Sequence, residues 1–205
     1  FVEYMYLEFF RKSNSHIVIK GEKNLYNLIH NKTPVIFVSG HFANYELMSM
    51  EITKRDIKLA TIYRPLNNYF LNPLMESLRK KYVCNNQIKK GINGVREAIE
   101  YIKKGFSIAL MIDQRVSEGE QIDFFNKSAL TTTLPAQLAL KYKLSIIPVF
   151  IERTKENNFE ITFHEEIKSS EFKSKIDLTI KLNKILEQMI KKNPNQWIWT
   201  HNRWK

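Results

Sequence analysis

The chain has 205 residues, 43% of them apolar, enough for one substantial core and with nothing to suggest a second domain. A single cysteine excludes an internal disulfide framework, and the five scattered histidines show no metal-ligand spacing such as Cys-x2-Cys or His-Glu-x2-His. The 32 basic against 21 acidic residues leave +11, which calls for an anionic partner; no DNA- or RNA-binding motif accompanies the charge, so nucleic acid is not the expected one.

The apolar pattern predicts alternating strands and helices. Residues 17–19 read as a strand, 22–30 as a helix, 35–38 as a buried strand and 44–54 as a helix. A strand over 58–63 leads into a helix near 70–82, and a helix over 95–104 stops at Gly105 before the strand 107–112. A long polar loop follows, then a helix over 134–142. Residues 146–152 and 159–164 read as paired strands with a turn at Asn157-Asn158, and 176–192 as an amphipathic helix. Such alternation predicts an α/β layered fold, a central mixed sheet flanked by helices, with its site at strand ends. The longest apolar runs, 106–112 and 144–151, fall far short of the roughly 20 residues that span a bilayer.

The most informative segment is Ser39-Gly40-His41-Phe42-Ala43-Asn44-Tyr45-Glu46, a histidine where a strand ends and a carboxylate at the start of the next helix. Along one continuous helix, five positions would turn the two side chains to different faces, so His41 belongs on the turn. From there Glu46 is expected to reach back, fix the imidazole tautomer and stabilise the imidazolium, leaving the other ring nitrogen to take a proton from a hydroxyl. No Gly-x-Ser-x-Gly elbow supplies a nucleophile, and Cys84 has no histidine near it in sequence. The bland alternative is that His41 packs beneath the helix.

Arg64, Arg115 and Arg203 stand out in a chain whose basic residues are mostly lysine, since their forked geometry is what lysine lacks. Arg64 is the expected contact for a phosphate or sugar phosphate, unless it pairs with a carboxylate such as Asp113. Asp113, Gln114 and Arg115 leave a strand end, where a substrate contact is expected; Asp113 would orient His41 or Arg64, bind a hydroxyl, or cap the loop. Asn44 and the backbone N–H groups near it are candidates for an oxyanion. Lys89 and Lys90 read as solvated helix ends, Phe124-Phe125 as an acyl groove or simple core. Trp197, Trp199 and Trp204 beside Arg203 and Lys205 read as a membrane interface or core.

Five blocks in order carry a family resemblance. Residues 38–46 resemble the Ser-Gly-His-Phe-Gly-Asn-Trp-Glu segment of the bacterial lipid A late acyltransferases, a branch of the glycerolipid acyltransferase superfamily. Residues 62–68 are similar to their Tyr-Arg-Pro-Leu-Asp-Asn block, 111–114 to their Asp-Gln block, and 124–129 to their Phe-Phe-Gly-x-Pro-Ala loop. The last block, 194–205, resembles the closing Pro-Glu-Gln-Trp-x-Trp-x-His-x-Arg-Trp-Lys. Ala43, Asn126 and Ser128 depart from the pattern; Asn126 tolerates a left-handed backbone, whereas Ala43 does so only at a cost.

The resemblance implies a glycerol-3-phosphate acyltransferase-like fold in a single domain. It also implies transfer of a fatty acyl group from an acyl carrier protein thioester to a hydroxyl of a lipid A precursor, with His41 and Glu46 as the catalytic pair and no covalent intermediate. No cofactor or metal is implied beyond the thioester co-substrate. The setting would be the membrane surface at the cytoplasmic face of the bacterial inner membrane, with a membrane anchor preceding this segment. Two other readings stand beside it: acyl transfer from acyl-CoA to a lysophospholipid or glycolipid, and a basic membrane-binding module without catalysis.

Overall fold

A strand buried at every position must be covered on both faces, and Ile36–Ser39 is buried throughout. It lies at the centre of the molecule. The computed structural model describes residues 2–13 and 15–204. In chain order the first elements are α1 (Leu7–Lys12), β1 (Ile17–Lys20), α2 (Tyr26–Asn31), β2 (Ile36–Ser39), α3 (Glu46–Lys54), β3 (Leu59–Tyr63) and α4 (Leu71–Leu78). A π-helical turn, Arg79–Val83, extends α4 towards β4 (Asn86–Lys89), α5 (Ile92–Lys103) and β5 (Ser107–Met111). Then come β6 (Glu120–Phe124), β7 (Lys127–Thr131), α6 (Leu134–Tyr142), β8 (Ser145–Arg153), β9 (Phe159–Phe163), β10 (Ile167–Lys168) and α7 (Lys175–Lys192).

The main sheet has the order β1-β9-β8-β2-β5-β3-β4, with β10 pairing β8 at its end. From β8 through β2, β5 and β3 to β4 the strands are parallel, while β9 and β10 run antiparallel to β8. Among the helices, α3 packs on β3 and β8, α5 on β3, β4 and β5, and α6 on β2 and β8. This is the mixed sheet flanked by helices that the alternating pattern predicts, with most ends displaced by one to three residues; α1, the edge strand β4 and the short β10 are elements the pattern does not predict. The helix expected over 22–30 begins instead as a 3-10 turn, Glu22–Leu25, before α2.

The stretch that reads as a long polar loop contains an antiparallel hairpin, β6 with β7. Its outer face is polar, so only Ile122, Phe124, Ala129 and Thr131 mark the buried side. The turn residues Phe125 and Asn126 both have positive φ, the I′ geometry that suits strand twist. Glu187 on α7 accepts the Phe125 N–H at 2.8 Å, which anchors the hairpin to the helix beneath it.

Candidate active site

The pairing of β2 with β5 decides what meets at the strand ends. Ser39 stands opposite Met111 on adjacent parallel strands. Two residues beyond the ends of these strands lie His41 and Asp113, 72 positions apart in sequence. His41 Nδ1 is 2.8 Å from Asp113 Oδ1, and the His41 backbone N–H donates to Oδ2 at 2.8 Å. The Trp197 indole N–H also donates to Oδ2, at 2.9 Å. Burial alone would push the Asp113 carboxyl up, for it is only 2% exposed; the hydrogen bonds and charge of His41 and the Trp197 donor outweigh this and hold it below the usual carboxylate range. A carboxylate so held keeps the Nδ1 proton in place. His41 Nε2 has no protein partner among the described residues.

The carboxylate serving His41 is therefore Asp113, not Glu46. Glu46 opens α3 and turns the other way, where its Oε1 accepts the Tyr4 hydroxyl and Arg79 Nε, the latter at 2.8 Å. Arg79 also donates to the Tyr4 hydroxyl at 2.7 Å and lies over the Tyr4 and Tyr63 rings. Burial pulls the Arg79 guanidinium down, but Glu46 beside it more than offsets this and raises it. The motif carboxylate thus ties the N-terminal segment and the turn after α4 to the wall of the site. Strand register outranks sequence spacing here, and neither Arg79 nor Tyr4 belongs to a motif that could have announced the cluster.

The loop carrying His41 is stitched to the end of the chain. Phe42 bridges Trp197, Ala43 N–H donates to the Gln196 carbonyl at 3.0 Å, and Ile198 N–H donates to the His41 carbonyl at 3.0 Å. Ala43 sits at φ +42°, in the left-handed region where a Cβ is strained. Ala43→Gly is expected to stabilise the protein by about 1 kcal/mol, read as a rise in Tm by thermal unfolding. A fall in Tm would show that the lost methyl contact matters more than the strain.

A cavity of about 800 Å³ opens beside His41. Apolar side chains including Phe37, Val38, Met48, Ile52, Leu110 and Val149 line it, together with polar and charged groups. Asn44, Glu46, Arg64 and Gln114 all line it, as the sequence led us to expect of a shared site. The Asn44 amide nitrogen is buried without a hydrogen-bond partner, beside His41 in the chain. Asp113 and Arg115, expected as substrate contacts, do not line the cavity. Asp113 is behind the imidazole, and Arg115 offers its backbone N–H to His201 Nε2 at 3.0 Å.

Two cavity residues were not expected from the sequence. Lys90, which reads as a solvated helix end, lines the cavity with Arg64, and no carboxylate forms an ion pair with either among the described residues. Burial and the Arg64 charge both push the Lys90 ammonium down. His201 also lines the cavity; burial lowers it, Asp113 opposes this, and Arg203, His41 and Lys90 lower it further. Its place in the closing block was the available signal.

The aromatic motifs resolve towards packing. Trp197 is buried against Asp113, and Trp204 lies 5.7 Å from the Phe124 ring with its indole N–H on the Phe124 carbonyl. Trp199 is the exposed one of the three. Phe124 is fully buried core, and neither it nor Phe125 lines the cavity. Arg203, without any exposed surface, donates to the Leu130 carbonyl and the Thr131 hydroxyl and so clamps β7.

Among the described residues no group of three or more His, Cys, Asp or Glu could hold a metal ion, and no helix is long and apolar enough to cross a membrane. The family model for bacterial lipid A biosynthesis acyltransferases matches residues 1–205. No curated protein sequence matches the chain. Among solved structures, the crystal structure of the 1-acyl-sn-glycerophosphate (LPA) acyltransferase PlsC from Thermotoga maritima has a similar fold, with a TM-score of 0.58 at 18% identity. The similarity covers 95% of this chain and 81% of that one.

Proposed function

The chain belongs to the bacterial lipid A biosynthesis acyltransferase family and is an acyltransferase for lipid-like substrates; from that premise we propose direct transfer of a fatty acyl group from an acyl carrier protein thioester to a hydroxyl of a lipid A precursor. The observation that carries the mechanism is His41, held by Asp113, lining a cavity shared with several apolar side chains. His41 Nδ1–H donates to Asp113, so Nε2 takes the proton of the acceptor hydroxyl as its oxygen attacks the thioester carbonyl. The tetrahedral oxyanion forms beside the unpartnered Asn44 amide, a buried donor that needs no reorganisation to receive it. Collapse breaks the C–S bond, and the leaving thiolate recovers the proton from His41. No acyl-enzyme forms, because the acceptor oxygen is the nucleophile. Asp113 stays ionised and stabilises the imidazolium.

Arg64 and Lys90 both line the cavity and neither is ion-paired among the described residues, an arrangement that suits a phosphate on the acceptor. An apolar wall formed by Met48, Ile52 and Val149 suits the acyl chain. The +11 surface suits an acidic carrier protein and an anionic membrane, which would put the enzyme at the cytoplasmic face of the bacterial inner membrane.

The test is acyl transfer in detergent, followed by mass spectrometry, with wild type and His41→Ala side by side. The expected result is a new ester from carrier-protein thioester and lipid A precursor, made by wild type only. Ester formation by His41→Ala at the wild-type rate would overturn the base assignment. Transfer from acyl-CoA to a lysophospholipid, with none to the lipid A precursor, would keep the chemistry and overturn the substrates.

A further inference from the structure

We propose that Tyr69, Phe70, Leu71 and Leu74 form the surface by which this protein docks on an anionic lipid bilayer. Tyr69 and Phe70 are 91% and 92% exposed, and Leu71 and Leu74 follow at 38% and 49%. Two adjacent aromatic side chains left in water, with two leucines beside them, mark a contact surface rather than ordinary scatter. The backbone holds them there: the Asn68 side chain accepts the N–H groups of both Phe70 and Leu71 at 3.0 Å.

The patch lies between cavity-lining residues in the chain. Residues 64–67, just before it, line the cavity, and so do Met75 and Arg79 from the opposite side of α4 and its π turn. Phe70 and Leu74, four apart, share the outward side. Lys80 and Lys81 are exposed where the helix ends, so an apolar centre is flanked by ammonium groups. That is the composition of a helix lying in a membrane interface, where each lysine gains from anionic head groups. A second copy of a chain carrying +11 would instead meet like charge. The patch is identified by exposure and charge; only its purpose, bringing the cavity to a lipid, rests on the proposed function.

The experiment is co-sedimentation with vesicles of mixed phosphatidylcholine and phosphatidylglycerol, and of phosphatidylcholine alone. The proteins are wild type, the charge-neutral double variant Tyr69→Ser/Phe70→Ser, and Ile180→Ser, a control at another exposed apolar residue on α7. Wild type should bind the mixed vesicles and bind less at high salt or on phosphatidylcholine alone. The double variant should bind at least about tenfold more weakly at unchanged Tm, and the control should bind like wild type. The proposal is overturned if wild type ignores the vesicles or the double variant binds equally well. A further variant, Met5→Ser/Phe9→Ser, replaces two exposed apolar side chains of the N-terminal segment; the proposal is also overturned if binding is lost only there, or if sedimentation velocity shows a wild-type dimer that the Tyr69/Phe70 variant abolishes. Vesicle binding is read without turnover, so its failure and failure of the acyl-transfer reading are separate results.

Discussion

Asp113→Asn is expected to lower kcat by about 10³- to 10⁴-fold in a protein that still folds. Three donors converge on this carboxylate: the His41 backbone N–H, the His41 ring at Nδ1 and the Trp197 indole. An amide offers one oxygen and an NH₂, so one donor would face another donor. The imidazole escapes by moving its proton to Nε2, and a protonated Nε2 cannot accept the acceptor's proton. Steady-state acyl transfer with a circular dichroism check decides the point. A variant that keeps wild-type kcat would remove Asp113 from the mechanism.

The same substitution should alter the acid limb of the stability curve. The folded-state pKa of Asp113 is depressed, so its stabilisation is present above the ordinary carboxylate pKa and lost as pH falls through the lower folded value. Asn cannot titrate and should remove that dependence.

Arg79→Ala is expected to destabilise the fold by about 3–5 kcal/mol, because it strands Glu46 as a buried charge. The pair is 2.7 Å apart at its closest, with side chains only 10% and 9% exposed. Glu46→Gln/Arg79→Met, which removes both charges and keeps the volume, should recover most of the loss, read by urea unfolding. If Arg79→Ala costs less than about 1 kcal/mol, the cluster is no more than a surface ion pair. Kinetics then separate the two carboxylates, since Glu46→Gln should act through stability and the shape of the cavity wall, and Asp113→Asn through proton transfer.

Much of this protein is legible along the chain because it depends on local periodicity. The uninterrupted apolar run before Ser39 marks a strand covered on both faces, and the 3.6-residue pattern of α7 marks a helix with one buried side. The strand-end position of His41, the oxyanion candidate Asn44 and the cation Arg64 follow from motif residues at the ends of predicted elements, and all three line one cavity. The hairpin β6–β7 is not legible in the sequence because its outer face is polar and its turn uses Phe125 where glycine or asparagine is the usual signal.

Tertiary structure alone decided the partners. A spacing of five positions from His41 to Glu46 suggests a pair, yet a helix start rotates Glu46 towards Arg79, 33 positions later. The in-register pairing of β2 with β5 brings Asp113 to the imidazole instead. Which strands lie side by side is set by packing the whole sheet between its helices, a long-range choice that spacing along the chain does not encode. That choice also sank Trp197 into the core as a donor to Asp113 and left Phe70 standing in water.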